Sequence, residues 1–238
     1  MKVILCGYHW TGCKALEILM KSHNEIFVYT HKAEAMVPDL RLYCEKTGIQ
    51  YSLERISADN MPFIPDIICS VYYRSIIPSS VIEAAKGKIF NLHPSLLPRY
   101  RGCSSLTWAM INGEKECGYT YHYIDEGIDT GNIIIQKPVK IEEFDTQLTL
   151  YNRIMVLAME DFEKAFNMVC SGFAGTKQVG NETYYSRGCP FNGLISENMD
   201  DDTVESFIRA MIYPPYPVAK YKGISISSFE DYKQIKKQ

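Results

Sequence analysis

The first half of the chain alternates short apolar runs with helical patterns, and this rhythm limits the folds open to it. Each run is apolar along nearly its whole length, as expected of a strand buried on both faces. The predicted strands are residues 2–6, 25–29, 66–71 and 89–93. Helical patterns begin at about Thr11, cover residues 40–46 before Gly48, and extend from Pro78 to near Gly87. We therefore predict an α/β fold with a doubly wound, mostly parallel sheet, whose ligands gather at the carboxyl ends of the strands.

The second half of the chain, beyond Gly118, has a different pattern. Two β-rich segments, residues 119–124 and 133–141, flank an acidic loop that contains glycine. An amphipathic pattern over residues 146–170 predicts a long helix, and turn-forming residues recur after it. We expect one large domain over residues 1–190 and a C-terminal extension over residues 191–238.

The composition is that of a soluble globular protein without a strong charge imbalance. Of the 238 residues, 46% are hydrophobic and 22% are charged, and the net charge is −3. A wide basic face, which nucleic-acid binding normally needs, is not expected. The amino-terminal apolar run is too short for a signal peptide, and no stretch approaches the roughly 20 apolar residues of a membrane helix. We therefore predict neither a nucleic-acid partner nor a membrane partner.

Eight cysteines are scattered singly, with no CxxC pair among them. Because several lie within apparent strands or helices, they are interpreted as reduced, partly buried thiols. No metal site is predicted from this spacing. The expected compartment is the reducing cytoplasm.

The segment Asn91-Leu92-His93-Pro94 ends the fourth predicted strand. Residues two apart on a strand point to the same face, so Asn91 and His93 should present an amide and an imidazole side by side. Pro94 lacks an N–H, so the chain leaves the sheet here. An imidazole exchanges protons near neutral pH, and an amide donates to an oxyanion without changing charge. This pair suits acyl transfer.

A carboxylate partner for the imidazole is expected in the loop of residues 125–131, DEGIDTG. The loop carries three acids, Asp125, Glu126 and Asp129, and two glycines. Their spacing does not match the alternating oxygen ligands of an EF-hand calcium loop. Spacing alone leaves the choice among the three acids open.

Residues 90–102 (FNLHPSLLPRYRG) and 123–131 (YIDEGIDTG) resemble the signature of the 10-formyltetrahydrofolate-dependent formyltransferases. That family includes glycinamide ribonucleotide transformylase, methionyl-tRNA formyltransferase and the sugar N-formyltransferases. The resemblance covers about residues 1–220 and is most specific in the central third. By position, it implies that Asn91, His93 and Asp129 are catalytic, in a formyltransferase domain over residues 1–190.

The resemblance also implies a folate co-substrate, 10-formyltetrahydrofolate, and a pocket for its pterin ring. The residues implied are Ser75, Ile76, Ile77, Ile82, Ile124, Asp125 and Gly127. The three isoleucines at 76, 77 and 82 also suit core packing, since pterin pockets are largely apolar. For His122, a structural role is the preferred interpretation, although its ring could face the same cleft.

Several features bear on the acceptor of the formyl group. Methionyl-tRNA formyltransferases carry a further nucleic-acid-binding domain, whereas here only a short tail follows the core and the net charge is negative. Glycinamide ribonucleotide transformylases use a glycine-rich phosphate loop after the first strand. Here that loop, residues 6–12 (CGYHWTG), carries bulky aromatic residues, which suit a nucleotide sugar better.

The tail also resembles the sugar N-formyltransferases, in the stretches YYSR at 184–187, PFNG at 190–193, IRA at 208–210 and YPPYP at 213–217. The predicted acceptor is therefore a nucleotide-linked amino sugar of the dTDP-4-amino-4,6-dideoxyglucose type, used in lipopolysaccharide O-antigen biosynthesis. The predicted substrate contacts are His9, Trp10, Arg187, Arg209 and Tyr216.

The sequence leaves alternative functions open, and it also predicts a homodimer. Glycinamide ribonucleotide or methionyl-tRNA is the alternative acceptor, and a non-catalytic folate or sugar-nucleotide binding module is the alternative of another class. A nicotinamide dehydrogenase is disfavoured, because Gly7 and Gly12 do not form GxGxxG. The alternation of Ile and Ser over residues 224–227 predicts a strand that pairs with a second subunit, and thus a homodimer.

Overall fold

The computed structural model describes residues 1–22 and 25–237. Its first half contains five strands and three helices, which alternate along most of that half. The strands are β1 (Lys2–Gly7), β2 (Glu25–Tyr29), β3 (Gln50–Ser52), β4 (Ile67–Val71) and β5 (Ile89–His93). The helices are α1 (His9–Met20), α2 (Leu40–Thr47) and α3 (Ser79–Ala84).

The second half has shorter strands and one long helix. Its strands are β6 (Arg101–Gly102), β7 (Glu116–Tyr123), β8 (Ile133–Lys140), β9 (Tyr184–Tyr185), β10 (Ala219–Tyr221) and β11 (Ile224–Ile226). Its helices are α4 (Ser105–Ile111), α5 (Gln147–Cys170), α6 (Asp201–Ala210) and α7 (Phe229–Lys236). The predicted strands and helices of residues 1–170 are all present, with ends that differ by a few residues.

Seven strands form one sheet in the order β3-β2-β1-β4-β5-β7-β8. The pairs among the first five strands are parallel, and β5 pairs with β7 in the antiparallel direction. The predicted α/β fold with a mostly parallel sheet is thus confirmed. Strand order reverses beside β1, so the carboxyl ends of β1 and β4 flank the point where open α/β sheets bind ligands.

These segments form buried strands because their side chains are apolar on both faces. In β1, residues Val3 to Cys6 are completely buried, and in β4 the same holds for Ile67, Ile68 and Cys69. The turn from β1 into α1 packs tightly, since a Cβ on Gly12 would lie 2.9 Å from a methyl of Leu40. The same Cβ would lie 3.2 Å from the backbone of Gly7, so glycine at position 12 lets α1 approach both α2 and the end of β1.

The chain forms two compact units. One comprises Met1–His93, Thr120–Gln136 and Met155–Val179, and the other comprises Pro94–Tyr119, Lys137–Ile154 and Gly180–Gln238. The domain boundary predicted at residue 190 lies inside a segment of the second unit and stays a prediction.

The predicted intersubunit strand at residues 224–227 is paired within the chain. Strand β11 pairs with β10 in the antiparallel direction, from Tyr221 opposite Ile224 to Ala219 opposite Ile226. The two residues between the strands, Lys222 and Gly223, both have positive φ, as a tight two-residue hairpin turn requires. This turn folds the strand back on its own chain. The alternation of Ile and Ser therefore belongs to one strand of a β-hairpin. The homodimer stays a prediction, and Gln238 lies outside the described residues.

Of the helices in the described ranges, none has both the length and the apolar character needed to cross a membrane.

All eight cysteines are free thiols, and four of them are buried, so thiol chemistry tests the packing. Burial raises the pKa of Cys44 and of Cys117 to about 12, and it raises the pKa of Cys6 and of Cys69 as well. Since only the thiolate attacks a disulfide reagent, these four should be inert in the native protein. We expect that Ellman's reagent at pH 8 modifies at most the other four until guanidinium unfolds the chain. Rapid modification of any of the four, mapped by mass spectrometry, would contradict this packing.

Candidate active site

Strand β5 presents Asn91 and His93 at its carboxyl end. The strand register places Ser70 of β4 on one side of Asn91 and His122 of β7 on the other. Cross-strand neighbours project to the same face of a sheet, so three polar side chains line up across three strands. Leu92, between the two site residues, is buried at 4% exposure, as expected for the opposite face.

The amide of Asn91 is fixed at both ends. Its Oδ1 accepts a hydrogen bond from Ser70 Oγ at 2.8 Å, and its Nδ2 lies 3.3 Å from Nε2 of His122. In the neutral ring of His122, Nδ1 donates to the carbonyl oxygen of Tyr123 and Nε2 is an acceptor, so the group of Asn91 that faces Nε2 is the amide nitrogen. This nitrogen points from β5 toward β7, with one hydrogen on His122 and a second hydrogen that has no partner among the described residues.

The ring of His122 is also held in one orientation. Its Nδ1 lies 2.8 Å from the carbonyl oxygen of Tyr123, and a carbonyl oxygen accepts hydrogen bonds but does not donate them. Nδ1 therefore carries a proton, and in the neutral ring Nε2 is the acceptor that faces Asn91. The ring is buried, with 2% of the residue exposed.

The carboxylate of Asp129 lies between two imidazoles. Its Oδ2 is 3.5 Å from Nδ1 of His93, and its Oδ1 is 3.5 Å from Nε2 of His122. The side chains of His93 and Asp129 are 5% and 14% exposed. At this low exposure, bulk water screens the carboxylate poorly, so its field acts strongly on both rings. The structure thus brings together Asn91, His93 and Asp129, the three residues on which the catalytic prediction depends.

The loop of residues 125–131 separates the three acids that spacing could not distinguish. Asp125 faces its own loop, where Oδ1 accepts from the N–H of Gly127 at 3.2 Å and from the hydroxyl of Thr130. Glu126 is exposed. Asp129 turns inward and has φ of 54°, a left-handed conformation that costs about 1–2 kcal/mol for a residue with a Cβ. The backbone reversal at Asp129 is what carries its carboxylate to the histidines.

The residues implied for the folate pocket fall into two environments. Ile77 belongs to a buried cluster with Ile4, Ile68 and Ile89, and the partly buried Ile82 and Ile124 pack against it. Ile76 is 84% exposed on the loop after β4, next to the partly buried Ser75. Asp125 and Gly127 are exposed. Ile77, Ile82 and Ile124 therefore contribute to the core, whereas Ile76 presents an apolar side chain to solvent.

His9 and Trp10 begin helix α1 at the carboxyl end of β1. His9 has φ of 64°, and burial lowers the pKa of its ring. The indole Nε1 of Trp10 is buried and has no hydrogen-bond partner among the described residues. An unpaired buried donor is costly, so the position of this indole N–H lowers the stability of the folded chain.

An aromatic and charged cluster surrounds this helix start. Tyr8 stacks on Tyr72 with ring centres 6.2 Å apart, and the Arg74 guanidinium lies 5.4 Å from the centre of the Tyr8 ring. The backbone N–H of Arg74 donates to Nε2 of His31 at 3.1 Å. These contacts join the loop after β1 to the loop after β4.

The three substrate contacts predicted in the tail have different surroundings. Arg209 donates to the carbonyl oxygens of Glu142 at 3.4 Å and of Asp145 at 3.1 Å, so its guanidinium already has backbone partners at the start of α5. Arg187 is exposed. Tyr216 is 51% exposed and stacks on Tyr213. The partners of Arg209 are consistent with a structural role, and its binding role stays a prediction.

Sequence analysis missed Ser70 and preferred a structural role for His122, although it kept open that the ring faces the same cleft. Both lie in apolar strands, and a polar residue in such a run is itself a signal that it has a partner. The strand register needed to identify that partner is a tertiary property that no local pattern reports.

Comparisons with known proteins identify the family of the chain. Residues 19–165 match the formyl transferase family. GDP-perosamine N-formyltransferase of Brucella melitensis biotype 1 is 38% identical over 204 residues, which cover 84% of this chain and 79% of that protein. The fold resembles that of WlaRD, a sugar 3N-formyl transferase crystallised with dTDP and 5-N-formyl-THF, with a TM-score of 0.83 and 27% identity over 95% of this chain and 85% of that one. An N-formyltransferase from Helicobacter canadensis, in complex with folinic acid and dTDP-3-aminofucose, gives a TM-score of 0.80 and 26% identity over 95% and 86%.

The shape of the 125–131 loop is testable through Gly131. A Cβ at this position would run into the carbonyl oxygen of Tyr123, whereas a Cβ on Gly188 would meet nothing within 4 Å. Overpacking of this kind costs about 1–3 kcal/mol, so Gly131→Ala should lower the free energy of unfolding by that amount in urea titrations. Gly188→Ala is the matched control and should leave stability unchanged or raise it slightly. Equal stability of the two variants would show that the loop is more open than described.

Proposed function

Because the chain belongs to the formyl transferase family, we propose that it transfers the formyl group of 10-formyltetrahydrofolate to the amine of a nucleotide-linked amino sugar. The single observation that carries the proposal is the convergence of an amide, an imidazole and a carboxylate at the end of β5. The complexes of WlaRD and the Helicobacter canadensis enzyme support the co-substrate, since both were crystallised with a formylated folate.

In the proposed mechanism, the acceptor amine attacks the formyl carbon and the formyl oxygen becomes an oxyanion. The second amide hydrogen of Asn91, the one not on His122, donates to this oxyanion. His93 takes one proton from the attacking amine and returns it to N10 of the folate as the bond between N10 and the formyl carbon breaks. The products are the formamido sugar and tetrahydrofolate, so atoms and protons balance.

Asp129 has two roles in this proposal. Its carboxylate near Nδ1 of His93 orients the ring so that Nε2 exchanges protons with the substrate, and its charge favours the imidazolium that forms during attack. Its second oxygen lies 3.5 Å from Nε2 of His122, beside the ring that orients Asn91, and is not hydrogen-bonded to that nitrogen while the ring is neutral. Ser70 and His122 thus position the oxyanion donor and do not themselves react.

For the acceptor, we assign the start of helix α1 to the nucleotide diphosphate. Backbone N–H groups at a helix start favour anions, and Trp10 lies in this first turn. His9 belongs to the same turn. Arg187 and Tyr216, both exposed, are assigned to the sugar nucleotide, with Arg209 kept as a predicted contact.

For the folate, we assign the pterin ring to the loop after β4 and the edge of the 125–131 loop. Ser75, Asp125 and Gly127 offer polar groups there, and Ile76 offers an exposed apolar surface. The buried Ile77 and the partly buried Ile82 and Ile124 are assigned to the apolar side of the same pocket.

The finer proposal for the acceptor is dTDP-4-amino-4,6-dideoxyglucose. The complexes of the two solved relatives with dTDP and a dTDP-linked amino sugar support a thymidine nucleotide. GDP-perosamine is the second candidate, because the relative at 38% identity carries that substrate in its name. Both candidates are amino sugars linked to a nucleoside diphosphate and require the same transfer chemistry.

An assay with labelled 10-formyltetrahydrofolate tests the acceptor class. Label should move to dTDP-4-amino-4,6-dideoxyglucose or to GDP-perosamine, and not to glycinamide ribonucleotide or methionyl-tRNA. Transfer only to one of the latter two would overturn the acceptor proposal. Binding of folate and nucleotide sugar without any transfer would indicate a non-catalytic binding module.

Substitutions at the three convergent residues test the mechanism. Asn91→Ala, His93→Ala and Asp129→Asn should each lower kcat by about a hundredfold or more, because loss of one oxyanion donor alone raises the barrier by about 2.7–4 kcal/mol. Glu126→Gln removes an exposed charge from the same loop and is the matched control, with turnover near that of the wild type. Circular dichroism establishes that each variant is folded, and near wild-type turnover in a folded variant would refute the role of that residue.

A further inference from the structure

A side chain from the segment after α5 contacts the backbone of the acidic loop. The amide nitrogen of Gln178 lies 2.8 Å from the carbonyl oxygen of Asp129 and 2.8 Å from that of Gly131. An amide nitrogen has two hydrogens, so each carbonyl receives one. Gln178 is 49 residues from Asp129 in sequence, so this contact is purely tertiary.

The segment that carries Gln178 is itself anchored. Thr176 exchanges two backbone hydrogen bonds with Ile133, at 2.7 and 2.8 Å, and Asn132 donates to the carbonyl oxygen of Ala174 at 2.9 Å. These bonds attach the segment to the start of β8, immediately after the acidic loop. Gln178 is therefore presented from a fixed base and does not depend on the loop for its own position.

The contact falls at the point where the loop is under conformational strain. Asp129 has φ of 54°, which is an uncommon conformation for a residue other than glycine. Asp125 ties the first part of the loop together through Gly127 and Thr130. The two carbonyls that Gln178 binds flank Thr130, so the clamp acts on the half of the loop that contains Asp129.

We propose that Gln178 is a positioning residue, which holds the backbone of residues 129–131 so that the Asp129 carboxylate stays between His93 and His122. The inference rests on the proposed function, because it assigns to Gln178 an effect on formyl transfer through Asp129. A shift of the carboxylate by about 1 Å is enough to lower the rate about a hundredfold, since proton transfer depends steeply on geometry. Gln178 itself touches neither substrate.

Kinetics of Gln178 variants provide the first test. Gln178→Met keeps the length of the side chain and removes both donors, and Gln178→Glu replaces the donors with an acceptor that faces two carbonyls. Both should lower kcat by about 10- to 100-fold while the KM values for folate and sugar nucleotide change less than about threefold, because only transition-state geometry is affected. The matched control is Val179→Ala, an exposed neighbour on the same segment, which should behave like the wild type. Unchanged kcat in folded Gln178→Met would overturn the inference.

A double-mutant cycle with Asp129 separates positioning from general stabilisation. If Gln178 acts through the carboxylate, Gln178→Met should lower kcat less than about twofold in an Asp129→Asn background, since effects of coupled residues are not additive. Equal losses in both backgrounds would mean that Gln178 does not act through Asp129.

Amide hydrogen exchange tests the clamp without relying on activity. In Gln178→Met the amides of residues 126–131 should exchange faster than in the wild type, while those of β1 and β4 stay protected. Wild-type exchange in this loop would exclude the clamp whatever the substrate is. Failure of the wild-type protein to transfer formyl groups would instead refute the proposed function and leave the exchange result standing. Gln178→Asn, which is shorter by one methylene, serves in the same experiment if Gln178→Met does not fold.

Discussion

The cross-strand register of β4, β5 and β7 is the constraint on which the site depends. Ser70, Asn91 and His122 meet because each is opposite the next in adjacent strands, and each uses the hydrogen-bonding groups of its neighbour. A slip of one residue in any of these strands would turn its side chain to the other face of the sheet. The apolar residues that fill both faces oppose such a slip, so core packing sets the geometry of the polar residues.

The carboxylate of Asp129 comes from the loop of residues 125–131. The interactions that fix the conformation of this loop differ from those that fix the strands. Its shape follows from side chain to backbone bonds of Asp125, from close approaches that only glycine allows, and from the left-handed backbone at Asp129. Rigid strands therefore hold the amide and the imidazole, while a tightly tied turn supplies the carboxylate. The two parts meet through contacts at 3.5 Å.

The sequence predicted those features of the fold that depend on residues close together in the chain. Apolar runs and β-rich segments predicted six of the seven strands of the sheet and missed the three-residue β3. The period of two along residues 91–93 predicted that Asn91 and His93 share a face. The choice of Asp129 over Asp125 and Glu126 required a resemblance, because no pattern of residues reports a backbone reversal. For Arg209, the sequence did not report the backbone carbonyls that its guanidinium binds, because they lie more than 60 residues away in the chain. The alternation of Ile and Ser over residues 224–227 predicted a strand, but it did not identify β10 of the same chain as the strand with which it pairs.

The burial of the two imidazoles has a consequence for the fate of an activated formyl group. Both rings expose only a few per cent of their surface, so few water molecules can stand beside them. Water is itself a nucleophile, and a formyl carbon next to a general base would otherwise be hydrolysed to formate. If formyl transfer proceeds at His93 as proposed, the exclusion of water around this ring gives the amine an advantage over solvent. The yield of product per co-substrate consumed would then reflect this exclusion of water as much as the intrinsic reactivity of the amine.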